Sequence, residues 1–319
     1  MCNGEEPMQT VRLGRTGLEV SVAGLGCGGH SRLGMARGKD VHHAADMVRA
    51  ALDLGVTFID TARAYGTEEA VGLGLRGRRD EAVISTKAGA GRGGELVSAA
   101  RMAAYVDDSL RKLATDRIDV FLLHGLRLAE YEHASQVLIP ELKRQQAAGK
   151  IGFIGASEMF GGDTGHELLA RALGDDPFDV VMVGFNLLNP SARGRVFPKT
   201  RAKDVGTLIM FAVREALSHP DELRKVVGEL IARGEVDAAT VDADDPLGFL
   251  AAAPGAPSVV EAAYRFCRHE PGAQVILTGT GDPEHLKANV EAILKPPLPA
   301  EVLERLDAIF GAVDSVSGN

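Results

Sequence analysis

The stretch IDVFLLH, Ile118 to His124, runs apolar without a break from Val120 to Leu123 and stops on an imidazole. A strand with one face in water alternates apolar and polar side chains. An unbroken apolar run marks a strand buried on both faces, as in a parallel sheet covered by helices. The same pattern recurs in Val22–Gly26, TFID (57–60), AVISTK (82–87), FIGAS (153–157), DVVMVGFN (179–186), GTLIMFAV (206–213) and AQVILTG (273–279), which with IDVFLLH makes eight strands. Helical patterns lie between them. After Asp40, for example, Ala44, Ala45, Val48, Ala51 and Leu52 fall on one helical face and Gly55 can end the helix. Further helices are expected over 67–76, 98–114, 132–148, near 165–173, near 221–233, near 258–268 and over 283–294.

Eight strand–helix units predict an α/β fold, a closed (β/α)₈ TIM barrel, which needs roughly 250 residues. The rival is a doubly wound open sheet. GLGCGG (24–29) follows a strand but lacks the glycine spacing of a dinucleotide fingerprint, and the units are evenly spread, so the barrel is preferred. One domain is expected over 1–319: a tail at 1–10, a β-hairpin at 11–22 that turns at Arg15-Thr16-Gly17, the barrel, and an insertion loop at 234–257.

Composition narrows the function. The chain has 319 residues, 45% of them apolar, and a net charge of −9 with no basic tract, which argues against a nucleic-acid partner. No run approaches the roughly 20 apolar residues of a membrane span. Cys2, Cys27 and Cys267 form no CxxC pair, which suits a reducing compartment rather than a disulfide scaffold or zinc site. MCNGEEPMQT does not read as a signal peptide, so a cytoplasmic protein is expected.

Active sites of (β/α)₈ enzymes sit at the C-terminal strand ends. The polar residues there are Asp60 with Tyr65 after the second strand, Lys87 after the third, His124 after the fourth, Ser157 and Glu158 after the fifth, Asn186 after the sixth, and Thr278, Thr280 and Asp282 after the eighth. Singly, each has an ordinary explanation as cap, salt bridge or packing. Together they suggest proton chemistry. An ammonium beside a phenol lowers the phenol's pKa, and Asp60 can keep a buried Lys87 charged. His124 can hydrogen-bond the same oxygen or a substrate carbonyl. One histidine at the mouth makes a poor metal site, so no metal is expected.

With these residues in view, the chain resembles the aldo-keto reductases. The resemblance rests on LGRTGLEVSVAGLGCGG (13–29), GVTFIDTARAYG (55–66), VISTKAG (83–89), SLRKLATDRIDVFLLHG (109–125), IGASE (154–158), FNLLNPSA (185–192) and TGTGDPEHLKANVEA (278–292), and it runs from about residue 11 to 294. It implies a nicotinamide cofactor, NADP first and NAD as the alternative, and a small-molecule carbonyl substrate. It implies that Tyr65 is the general acid, that Asp60 and Lys87 tune it, and that His124 orients the carbonyl. The cofactor set it implies is Gly28, Thr61, Ser157, Glu158, Asn186, Gly279, Thr280, Gly281, His285 and Asn289. Glu158 stands where the family usually has Asn, and Gly279 and His285 stand where many NADPH-preferring members have Lys and Arg. Arg63 receives no role. The alternatives are a non-catalytic cofactor-binding or regulatory relative and a (β/α)₈ hydrolase or isomerase. The loops 30–39, 125–133, 187–204 and 214–257 are expected to choose the substrate.

Overall fold

Each apolar run becomes a strand of one sheet. A computed structural model describes residues 7–252 and 257–319. The strands are β1 (Ala23–Gly26), β2 (Phe58–Asp60), β3 (Val83–Gly89), β4 (Ile118–Leu126), β5 (Ile151–Glu158), β6 (Val180–Gly184), β7 (Gly206–Met210) and β8 (Val275–Thr278). All neighbours are parallel, and β8 pairs with β1, so the sheet closes into a barrel in sequence order. The register sets Gly26 opposite Asp60, Asp60 opposite Ser85 and Gly89 opposite His124.

Both strand faces are buried, as the unbroken runs require. Phe58, Val120, Leu122, Val180, Met182, Leu208 and Val275 fill the barrel. Ile59, Ile84, Phe121, Leu123, Val181 and Ile209 face the helix layer. That layer includes α1 (Val41–Asp53), α2 (Glu68–Gly74), α3 (Ala99–Leu113) and α4 (Glu167–Asp175).

The hairpin closes the N-terminal end of the barrel. Its strands are Thr10–Arg12 and Glu19–Ser21, one residue earlier than 11–22, around a tight turn at Gly14–Thr16. Leu13 and Val20 join the interior cluster. At Gly14 a Cβ would collide with the backbone N of Gly206, the first residue of β7, so glycine is needed for that approach. The opposite, C-terminal end is left for chemistry.

Several boundaries shift. The helical stretch expected at 132–148 begins earlier, as Leu128–His133, and passes through a π turn at Ala134–Leu138 into Ile139–Ala147. β7 stops at Met210 rather than 213, because Phe211 takes a left-handed φ of 67° that ends the extended backbone. The segment expected as a patternless loop at 234–257 buries Val236, Val241, Leu247 and Leu250 and contains a short helix, Phe249–Ala252. Those apolar residues are too irregularly spaced for either structural period. Positions 1–6 and 253–256 of the tail and insertion lie outside the described residues. No helix among the described residues is long and apolar enough to cross a membrane.

Candidate active site

Side chains on a strand alternate between its faces. Asp60 follows the interior residue Phe58 by two positions and His124 follows interior Leu122 by two. Lys87 follows Val83, which packs on the interior cluster, by four. Parity therefore turns all three side chains into the mouth, one layer above the apolar plug. Tyr65 arrives from a turn, Arg63–Tyr65, just beyond β2.

Lys87 Nζ donates to Asp60 Oδ1 at 2.6 Å, to Asp60 Oδ2 at 2.5 Å and to the carbonyl of Thr61 at 2.9 Å. Both side chains are buried. Burial lowers the Lys87 pKa, but Asp60, helped by Tyr65 and Cys27, more than offsets it, and the ammonium ends above its ordinary value. Burial raises the Asp60 carboxyl against the pull of Lys87. Lys87 Nζ lies 5.2 Å from the centre of the Tyr65 ring. The Tyr65 hydroxyl is 3.3 Å from His124 Nε2, with the two rings edge to face.

The expected tuning is only half the balance. Lys87 does pull the Tyr65 phenol down, but burial pushes it up harder and Asp60 adds to the rise, so Tyr65 lies above the usual phenol value. Burial, helped by the Lys87 charge, pushes the His124 imidazolium down to about 3. At neutral pH the mouth holds a neutral phenol, a neutral imidazole and an ammonium–carboxylate pair.

Neighbouring residues hold Tyr65. A Cβ on Gly28 would come 2.5 Å from the Tyr65 ring, so the glycine makes room for that ring. Arg63 turns away, pairing with Asp108 at 2.6 Å and lying over Tyr105 on α3. The Thr61 hydroxyl is 2.8 Å from that of Thr67, and both are buried.

The remaining expected residues divide by strand parity. On β5, Ser157 points inward and Glu158 outward. Ser157 Oγ accepts the N–H of Gly125, next to His124, at 2.8 Å. The Glu158 carboxylate sits behind the strand: both oxygens are 3.0 Å from His166 Nδ1, and Oε1 accepts the N–H of Gly184 at 2.7 Å. Asn186 Oδ1 caps its own turn by accepting from Leu188 and Asn189, and its amide donates to the carbonyl of Ser317 at 3.1 Å. Gly279 and Gly281 permit close contact with β1 and its loop; a Cβ on Gly279 would stand 2.5 Å from Gly26 O, and one on Gly281 would collide with Gly34 N. Thr280 Oγ1 accepts from the N of Asp282. Asn289 donates to the Thr278 hydroxyl at 2.9 Å. His285 is exposed in the first turn of helix Pro283–Leu294.

Two residues near the mouth escaped sequence reasoning. His166, with a left-handed φ of 62°, is fully buried against Phe160 and pairs with Glu158. No sequence signal links positions 158 and 166. Arg214 borders the same rim as Tyr65, and here a signal existed: it is the first charged residue after the seventh apolar run.

A parallel eight-stranded barrel with titratable side chains gathered at its C-terminal mouth is the architecture of (β/α)₈ enzymes. The sequence model of the Aldo/keto reductase family matches residues 25–310, and the chain belongs to that family. It is similar to the aldo-keto reductase YhdN of Bacillus subtilis, 28% identical over 310 residues that cover 88% of this chain and 87% of YhdN. Among solved structures it is similar to the holo form of aldo-keto reductase AKR11C1 from Bacillus halodurans, with 25% identity, a TM-score of 0.71 and coverage of 96% of this chain and 97% of that one. An aldo/keto reductase from Klebsiella pneumoniae, solved with NADP and acetate, shares the fold at 23% identity and a TM-score of 0.66, covering 97% of this chain and 98% of that one.

Proposed function

We propose that this oxidoreductase reduces the carbonyl of an aldehyde or ketone to an alcohol with NADP(H), and that Tyr65 is the general acid. The observation that carries the reading is the Tyr65 hydroxyl 3.3 Å from a neutral His124 and beside the buried Lys87–Asp60 pair. A nicotinamide dinucleotide bound at the mouth supplies the hydride. The chain's own residues do the rest. His124 donates an N–H to the substrate oxygen and fixes its direction. Tyr65, protonated because burial holds its pKa up, gives that oxygen its proton. The Lys87 ammonium then stabilises the phenolate, and Asp60 keeps Lys87 charged.

The residues at the rim suit such a cofactor. Ser157 Oγ accepts from Gly125 N and keeps a hydroxyl hydrogen to donate to the carboxamide. Gly279 and Gly281 let the segment after β8 pack directly on Gly26 and Gly34 at the rim. His285 and Asn289 are the residues for the adenosine end. NAD is the alternative, because Asp282 caps that helix start and brings a negative charge to it. Glu158, with its carboxylate on His166 and Gly184, would act on the cofactor only through the position of Ser157. Burial of the free thiols Cys27 and Cys267 suits a reducing cytoplasm.

The test is cofactor oxidation followed at each aldehyde of a panel, with NADPH and with NADH, for wild type and Tyr65→Phe. The variant should lose about 10²-fold or more in kcat. Its NADPH affinity, read by fluorescence quenching, should stay within about twofold, since a phenyl ring keeps the packing. Turnover that survives Tyr65→Phe would remove the phenol from its role, and a protein that binds neither cofactor would point to a non-enzymatic relative.

A further inference from the structure

Tyr65 reaches the mouth on a turn of three residues, Arg63–Tyr65. The chain on either side of that turn is tied to the barrel. Before it, the Thr61 N–H donates to the carbonyl of Ser85 on β3 at 2.8 Å, and Ala62 is buried. After it, the Thr67 hydroxyl lies 2.8 Å from that of Thr61. Inside it, the Tyr65 N–H donates back to the Ala62 carbonyl at 3.0 Å. That local bond fixes the shape of the turn but not the direction in which it points the phenol.

Arg63 supplies an outer hold. It stands two residues before Tyr65, and its side chain leaves the mouth for α3. Nη1 donates to Asp108 Oδ2 at 2.6 Å and to the backbone carbonyl of Tyr105 at 3.2 Å, and the guanidinium carbon lies 4.3 Å from the centre of the Tyr105 ring. A carboxylate, a carbonyl and an aromatic face on one helix thus meet one guanidinium. The pair is partly sheltered, with 21% of the Arg63 side chain and 27% of the Asp108 side chain exposed. Tyr105 is braced in turn, because Arg101 Nε donates to its hydroxyl at 3.0 Å. Asp108 also takes Lys112 at 2.9 Å and Arg111, both on the next turn of α3. Lys112 and Arg63, with Arg111, hold the Asp108 carboxyl well below the usual carboxylate range, so it stays ionised throughout neutral pH.

We propose that Arg63, fastened to Asp108 and Tyr105 on α3, is a positioning residue that sets the direction of the Tyr65 hydroxyl toward the reacting carbonyl. The proposal rests on the reductase reading of Tyr65. The guanidinium faces α3, away from the mouth, so it acts through the turn it shares with the phenol. The acid is then held by the helix layer as well as by the strand that precedes it. Direction matters because a misplacement of about 1 Å in a reacting group can cost on the order of 10²-fold in rate.

The experiment compares wild type, Arg63→Gln, Arg63→Lys and Asp108→Asn, each well below its melting temperature. It reads steady-state reduction of an aldehyde panel, NADPH affinity by fluorescence quenching, and NMR spectra of protein carrying ring-labelled ¹³C-tyrosine. The chain has four tyrosines, and the Tyr65 signal is the one missing from Tyr65→Phe. Arg63→Gln and Asp108→Asn should each lower kcat by about tenfold or more. Both should leave KM and NADPH affinity within about twofold, the pattern of an interaction felt only in the transition state. Both should also shift or broaden the Tyr65 signal. Arg63→Lys should keep part of kcat, since an ammonium can reach Asp108 but lacks the planar stacking on Tyr105. An unchanged kcat in Arg63→Gln overturns the proposal, and so does a Tyr65 signal that stays in place. So does a loss in Arg63→Gln that Asp108→Asn does not share, which would give the guanidinium a direct contact with the substrate. If wild type reduces no aldehyde, the reductase reading fails, and the Tyr65 signal still decides whether Arg63 holds the phenol.

Discussion

Lys87 reaches both carboxylate oxygens of Asp60, at 2.6 and 2.5 Å, from the neighbouring strand and under full burial. The two residues sit on the inner face of β3 and β2, directly above the apolar plug. Their pairing keeps an ammonium charged where water does not reach.

Breaking that pair should be strongly destabilising. Asp60→Asn leaves a buried ammonium with a neutral partner, and urea unfolding should show a loss of about 3–5 kcal/mol. The double variant Asp60→Asn/Lys87→Met should lose less than the sum of the two singles, because the second change removes the orphaned charge. A single-variant loss under about 1 kcal/mol, the scale of an exposed pair, would mean that the contact does not hold the mouth together.

His124 gives a pH signature. Its pKa is depressed to about 3 by burial and by Lys87, whereas an unfolded histidine titrates near 6.5. Between those values the unfolded chain binds the extra proton, so this contribution is full above about pH 6.5 and is lost as pH falls toward 3. His124→Asn lacks it. From pH 6.5 to 5.5 wild type should lose up to about 1 kcal/mol relative to the variant. Parallel unfolding curves for the two proteins across that window would contradict a neutral, buried imidazole. Activity, by contrast, should show no acid limb from His124 near pH 6.5. Tyr65, above its ordinary value, should stay a competent acid well past neutrality.

Glu158→Asn should be a stability variant. The shorter amide withdraws the acceptor from His166 Nδ1 and from Gly184 N, which sit 3.0 and 2.7 Å from the carboxylate. Leaving such buried donors unpaired costs roughly 1–3 kcal/mol. Melting temperature should fall, and NADPH affinity measured on the folded protein should change little. Tighter cofactor binding with an unchanged melt would mean that the side chain at 158 reaches the carboxamide after all.

The barrel itself was legible in the chain. Eight unbroken apolar runs with helical patterns between them admit few other folds, because burial on both faces of a parallel strand erases the alternation that other sheets display. The same erasure hides parity. Nothing in IGASE tells which of Ser157 and Glu158 faces the mouth, and only the closed sheet turns the serine inward and sends the glutamate to His166. The contacts of Asn186 with Ser317 and of Arg214 with Asn319 span more than a hundred residues, and no local spacing encodes them.

By itself, then, the sequence determined the fold and the family and put Asp60, Tyr65, Lys87 and His124 at or just beyond strand ends, since each of these is written in a strand and the few residues after it. Tertiary structure decided the raised pKa of Tyr65, the burial of Glu158 and the contact of Arg214 with Asn319. Those properties come from desolvation and from partners on other strands and helices, which come into being only when the barrel closes.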